Sequence, residues 1–165
     1  MNQLLRQHLD STFFVDYQDL RDQVMAVVSE ADLARDLGGG TQTLGALCRE
    51  MGEVEHAYID SFRTFRRDFS YRYPDPAIER DRDALVAWFH HLDTDLLAAL
   101  DALSDGDVRD RHMQGADFDP GEFSPSPAVQ LDIYREALLI FYAKVSVYLR
   151  AFGIPLPGDW ASWIG

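Results

Sequence analysis

The side chains able to do chemistry in this chain are few and scattered. Glu53-Val-Glu-His56 is a Glu-x-x-His motif, which on a helix sets a carboxylate and an imidazole on one face, as in metal-binding bundles. A di-iron bundle needs that motif on two helices and a glutamate from each of two more. The last helical stretch offers only Asp132 and Glu136, and the first nothing better than Asp16 and Asp19, so the motif reads as surface charge. His90 and His91 are adjacent. Helical neighbours point about 100° apart, so the two rings cannot share one ion, and one is expected half-buried with the other solvated. Cys48 next to Arg49 would be a thiolate if the guanidinium lowered its pKa. No second cysteine and no histidine base lies nearby in the chain, which favours a buried structural thiol.

Other patterns carry weaker signals. Gly38-Gly39-Gly40 has neither the preceding strand nor the following Gly-Lys of a phosphate-cradling loop, and reads as a helix connection. Arg63–Arg72 holds four arginines among Phe65, Phe69 and Tyr71, a composition that suits single-stranded nucleic acid. However, both phenylalanines fall on an apolar helical stripe, and arginines near a helix C-terminus complement its dipole. The 15 basic and 28 acidic residues leave a net charge of −13, which repels phosphate backbones, so no nucleic-acid partner is expected.

The elements that must position these groups are helical. Leu5, Leu9, Phe13, Tyr17, Leu20, Val24 and Val27 recur at helical spacing and predict a first helix over 2–28. Leu44, Leu47, Met51, Val54, Tyr58, Phe62, Phe65 and Phe69 predict a second over 43–69. Leu85, Trp88, Leu92, Leu96, Ala99 and Leu103 predict a third over 80–103, and a fourth spans 128–152. Ser29-Glu-Ala-Asp and Ser104-Asp-Gly-Asp are capping-box signals for short turns. They also mark a faint internal repeat, each followed by a loop and a long helix carrying Arg-Glu. Arg109–Pro127, rich in proline and acidic residues, reads as a surface loop. No segment alternates with period two, so the class is all-α, a four-helix bundle with long crossover connections in one domain over 1–165. Trp160, Trp163 and Ile164 are expected to dock on the bundle.

The fourth helix, Tyr134–Gly153 (YREALLIFYAKVSVYLRAFG), is apolar on nearly every side and must be covered by other elements or by a second subunit. A homodimer through the apolar flanks of the first and fourth helices is therefore expected. Lys144 interrupts the longest apolar run, so no membrane span is predicted. His8 and Asp10 break the apolar run a signal peptide would need, and a lone cysteine suits a reducing compartment, so a cytoplasmic protein is expected.

With TLGALCREMGEVEHAYI in the second helix and VYLRAFGIPLP closing the fourth, the chain resembles the DinB/YfiT-like superfamily, and especially a bacterial subfamily sharing EALLIFYAKVSVYLRAFG and a C-terminal LP..W..WIG. The resemblance covers almost the whole chain. It implies a DinB-like bundle associated with stress and DNA-damage responses. Members often bind a divalent metal through one histidine in the second helix and an HxxxH pair in the fourth. Those positions fall here on Glu50, Ala137 and Phe141, so the resemblance implies a subfamily without the histidine triad and without a metal cofactor. If the two halves are related by a pseudo-twofold, Arg49-Glu50 and Arg135-Glu136 approach each other where the family holds its metal. Glu50 and Glu136, with Glu53, Arg49, Arg135, Tyr134 and Tyr142, are then the candidate pocket. The expected function is a non-catalytic or cryptic, homodimeric structural, small-molecule-binding or partner-binding protein. The alternative is a divalent-metal-dependent thiol transferase using carboxylate ligands.

Overall fold

The computed structural model describes Leu5, residues 17–115, 123–158 and 160–163. In chain order the elements are α1 (Asp19–Val27), α2 (Glu30–Leu33), α3 (Leu44–Thr64), β1 (Arg66–Arg67), a 3-10 turn (Pro76–Arg80), α4 (Arg82–Asp101), α5 (Asp105–Asp110), β2 (Gln114–Gly115), α6 (Pro127–Phe152) and α7 (Trp160–Trp163). α3 packs chiefly against α4 and α6, and α1 against α4. Long connections between the four main helices make this an all-α bundle with crossovers rather than a row of hairpins.

Helix boundaries follow from local chemistry. Ser29 and Ser104 both form full capping boxes, each hydroxyl accepting from the backbone N–H three residues on while Asp32 or Asp107 accepts from the cap N–H. Thr43, Asp81 and Ser126 cap α3, α4 and α6 in the same way on one side. Pro127 opens α6, and Gly153, with φ of 73°, closes it in the left-handed conformation that glycine adopts without a Cβ penalty.

The predicted stripes line the core at most positions. Leu44, Leu47, Met51, Tyr58 and Phe62 are buried, as are all six apolar positions predicted for the third helix, of which Leu103 falls just beyond the end of α4. Phe69 is not among them. α3 stops at Thr64 because Phe65 turns left-handed (φ of 60°), which swings the following chain away and leaves Phe69 44% exposed. Val27 also lies outside the core. The predicted first helix is described from α1 onward, with a π-type turn at Tyr17–Gln18 before it; of its remaining stripe Leu5 is buried, while Leu9 and Phe13 lie outside the described residues.

The described residues of the predicted loop 109–127 include the end of α5 and the strand β2. Met113 is buried and its N–H donates to the Pro125 carbonyl at 2.8 Å. Gln114 and Gly115 pair in parallel with Arg66 and Arg67, a two-residue ladder too short to carry a period-two pattern. Trp160 docks as expected: it is fully buried, and its indole N–H donates to the Leu20 carbonyl at 2.8 Å. The Trp163 side chain and Ile164 lie outside the described residues.

Candidate functional site

One edge of α3 presents Arg49, Glu50 and Glu53, spaced so that Arg49 and Glu53 fall on the same side of the helix one turn apart. Glu53 is nearly buried and heavily used. It accepts the Tyr73 backbone N–H at 2.9 Å and pairs with Arg49 Nε at 3.2 Å and Arg72 Nε at 3.8 Å. Arg49 also reaches Glu79 at 2.7 Å, which ties α3 to the 3-10 turn. Glu50 accepts from Gln42 Nε2 at 2.7 Å, and the Gln42 carbonyl in turn accepts from the Tyr148 hydroxyl of α6 at 2.7 Å. Gln42, Arg49, Glu50, Glu53 and Arg72, with Val54 and Phe69, line an open cleft of about 380 Å³.

A second polar cluster lies inside the bundle. Arg21 of α1 donates to Glu55 of α3 at 2.7 Å and to Asp93 of α4 at 2.6 Å, and its guanidinium sits 4.5 Å from the centre of the Phe89 ring. Arg21 is 1% exposed and Glu55 0%. Burial pushes the Glu55 carboxyl up to about 7, against the opposing pull of Arg21. Burial alone would lower the Arg21 pKa, but Glu55 and Asp93 more than reverse that and hold it charged. Tyr134 and Tyr142 close the cluster from α6. Burial first, then Glu55, holds the Tyr134 hydroxyl well above the usual range; burial raises that of Tyr142. Tyr142 donates to the Tyr17 carbonyl at 2.5 Å. The void beside Arg21, Cys48 and Tyr142 is about 10 Å³, too small for anything beyond one water.

The sequence-predicted site therefore divides. Arg49, Glu50 and Glu53 share the cleft; Tyr134 and Tyr142 belong to the buried cluster. Arg135 pairs with Asp132 at 3.0 Å, and Glu136 is exposed, on the side of Tyr58. Among the described residues no hydrogen bond or ion pair joins Arg49-Glu50 to Arg135-Glu136, so the expected network between the dipeptides does not form. Each dipeptide is satisfied, or solvated, on its own side of the bundle.

The other candidates resolve individually. Glu53 and His56 do not converge, since His56 stacks on Tyr71 with ring centres 3.7 Å apart and faces Asp60. His90 and His91 are both exposed, which corrects the half-buried reading of one; His90 lies 3.2 Å from Asp22. Cys48 is buried, and burial pushes its thiol up to about 12, so it is no thiolate.

The residues present do not fit the divalent metal that the resemblance associates with this fold. Ala137 is half-buried and Phe141 buried beneath the Lys144 ammonium, and neither carries a donor atom. Among the described residues no group of three His, Cys, Asp or Glu side chains is placed to hold an ion.

Sequence reasoning missed the Arg21–Glu55–Asp93 cluster. The signal was present: Arg21 sits four residues after Tyr17 and three before Val24, and Glu55 lies between Met51 and Tyr58, so both occupy core register.

No protein-family model matches the chain, and no curated protein matches it in sequence. The long crossing helices define it as an all-α bundle. Among solved structures, the DinB-like protein YjoA from Bacillus subtilis superposes with a TM-score of 0.66 at 10% identity, over 90% of this chain and 94% of that one. The chain has a DinB-like fold. No described helix is long and apolar enough to cross a membrane.

Proposed function

We propose that this chain is a metal-independent, non-catalytic small-molecule-binding protein, with the cleft at Arg49, Glu50, Glu53 and Arg72 as its ligand site. The observation that carries the reading is the arrangement of charge there. Glu53 draws Arg49 and Arg72 against one wall, Gln42 orients Glu50, and the exposed Phe69 also lines the cleft. A wall bearing both signs beside an apolar ring suits a zwitterion with a short apolar body. Its carboxylate would meet Arg72 and its ammonium Glu50 in charge-assisted hydrogen bonds. The cleft volume, about 380 Å³, lies within the ordinary range for small ligands.

Association with stress and DNA-damage responses enters this reading through the family resemblance, and a reducing cytoplasm through the lone cysteine. The carboxylate-metal alternative rests on Glu50 with neighbouring carboxylates; Glu50 already accepts from Gln42 Nε2, and its nearest carboxylate on the cleft wall, Glu53, already meets three donors. Calorimetric titration of protein purified without a chelating tag, using the free amino acids as probes, tests the proposal. Binding by at least one probe, lost in Arg72→Ala, is the expected result. Stoichiometric zinc, nickel or manganese with no amino-acid binding would hand the site to the transferase reading.

A further inference from the structure

α6 is about 39 Å long at 1.5 Å per residue, and the bundle covers only part of it. Its outer face carries Val129 (42% exposed), Ile140 (58%) and Val147 (54%). At about 100° per residue these three lie within about 20° of one another, with the exposed Glu136 on the same strip between Val129 and Ile140. Burying such side chains is favourable, and their alignment on one exposed face of a single helix is what a partner can use.

The charges on this face identify what covers it. Glu136 and Lys144 are both exposed and stand four residues either side of Ile140. Among the described residues neither has an ion-pair partner within its own chain: Arg135 is engaged by Asp132, and the Lys144 ammonium rests over the Phe141 ring at 4.9 Å. A twofold axis through Ile140, pairing α6 antiparallel with a second α6, brings Ile140 against Ile140. The same operation sets Ile133 level with Val147, Val129 level with Ala151, and Glu136 level with Lys144, twice over. The face is thus self-complementary in both hydropathy and charge about one residue. We infer that a second copy of this chain docks here, in an isologous antiparallel helix pair centred on Ile140, with reciprocal Glu136–Lys144 ion pairs. The net charge of −13 makes two copies repel at a distance, so a local match of opposite charges is what selects this face and register. The inference does not depend on the ligand cleft.

The chain's lysine count makes the test specific, because Lys144 is the sole lysine. Sedimentation equilibrium should show a reversible dimer. Ile140→Asp should weaken it at least about a hundredfold, and Glu136→Lys or Lys144→Glu each about tenfold, since every dimer then holds two like-charge contacts. The double variant Glu136→Lys/Lys144→Glu should recover wild-type affinity to within about threefold, which also shows that the single variants fold. An equimolar mixture of the two single variants should form heterodimers. Within one chain Glu136 and Lys144 are about 12 Å apart along the helix, beyond a zero-length link. Carbodiimide treatment of mixed isotope-labelled and unlabelled protein should therefore join them between chains only. A monomer at all concentrations, or a dimer indifferent to Ile140→Asp and to both charge reversals, overturns the inference; so does a monomer whose α6 face retains only a different protein.

Discussion

Arg21 Nη1 lies 2.7 Å from Glu55 Oε2, with both side chains shut off from solvent between α1 and α3. Above pH 7, where Glu55 is ionised, removing one partner strands a buried charge. Arg21→Met is expected to destabilise the fold by about 3–5 kcal/mol, and Arg21→Met/Glu55→Leu to recover most of that loss. Urea unfolding midpoints decide it: a double variant no more stable than Arg21→Met would mean that the cost lies in packing, not charge.

Glu55 also makes stability depend on pH in an uncommon direction. Its folded pKa, about 7, stands above the ordinary 4.5, so between those values the folded chain holds a proton that the unfolded chain has released. The stabilisation from this group is complete below pH 4.5 and is lost as pH rises through 7. Relative to Glu55→Gln, the wild type should lose stability across that window. Unfolding free energies of both proteins at a series of pH values check this, and a constant difference would contradict it.

Gly52 on α3 has no room for a side chain, because a Cβ there would stand 2.5 Å from the Trp88 ring. Gly52→Ala must displace Trp88, at about 1–3 kcal/mol, even though alanine is the better helix former. Pairing it with Trp88→Leu should cost less than the sum of the two single changes. Strict additivity in a double-mutant cycle would show that the close approach is not what constrains position 52.

Cys48 should behave as a core residue. With its thiol buried and its pKa raised to about 12, it should react with Ellman's reagent only as fast as the protein opens. Reaction at the rate of a free thiol under native conditions would place Cys48 at the surface.

Most of the fold was legible because its signals are local. The serine caps, the Pro127 start and Gly153 stop of α6, and the stripe from Leu44 to Phe62 each act within a few residues. The end of α3 was less legible, since Phe69 continues the apolar spacing and only the left-handed turn at Phe65 removes it from the core. Three of the seven candidate pocket residues came together, because Arg49, Glu50 and Glu53 share one helix edge. The other four, all on α6, required knowing how that helix is rotated, and spacing alone does not say which of its apolar faces turns inward. Tyr134 and Tyr142 went to the core and Glu136 to the outside. The Arg21 cluster joins three helices distant in sequence, so its partners were beyond any local pattern, although two charged residues in core register mark such a cluster.

The early part of the chain is held by groups that come much later. The Leu20 carbonyl is capped by Trp160, 140 residues on, and the Tyr17 carbonyl by Tyr142, 125 residues on. On the ribosome α1 therefore emerges long before its anchors exist. Closing loops of that length slows assembly, and α1 gains these two anchors only once the late chain has returned onto it. Until then α1 carries a buried-type arginine and an unfilled apolar stripe in the open, which makes that interval the one in which a nascent copy most needs protection from aggregation.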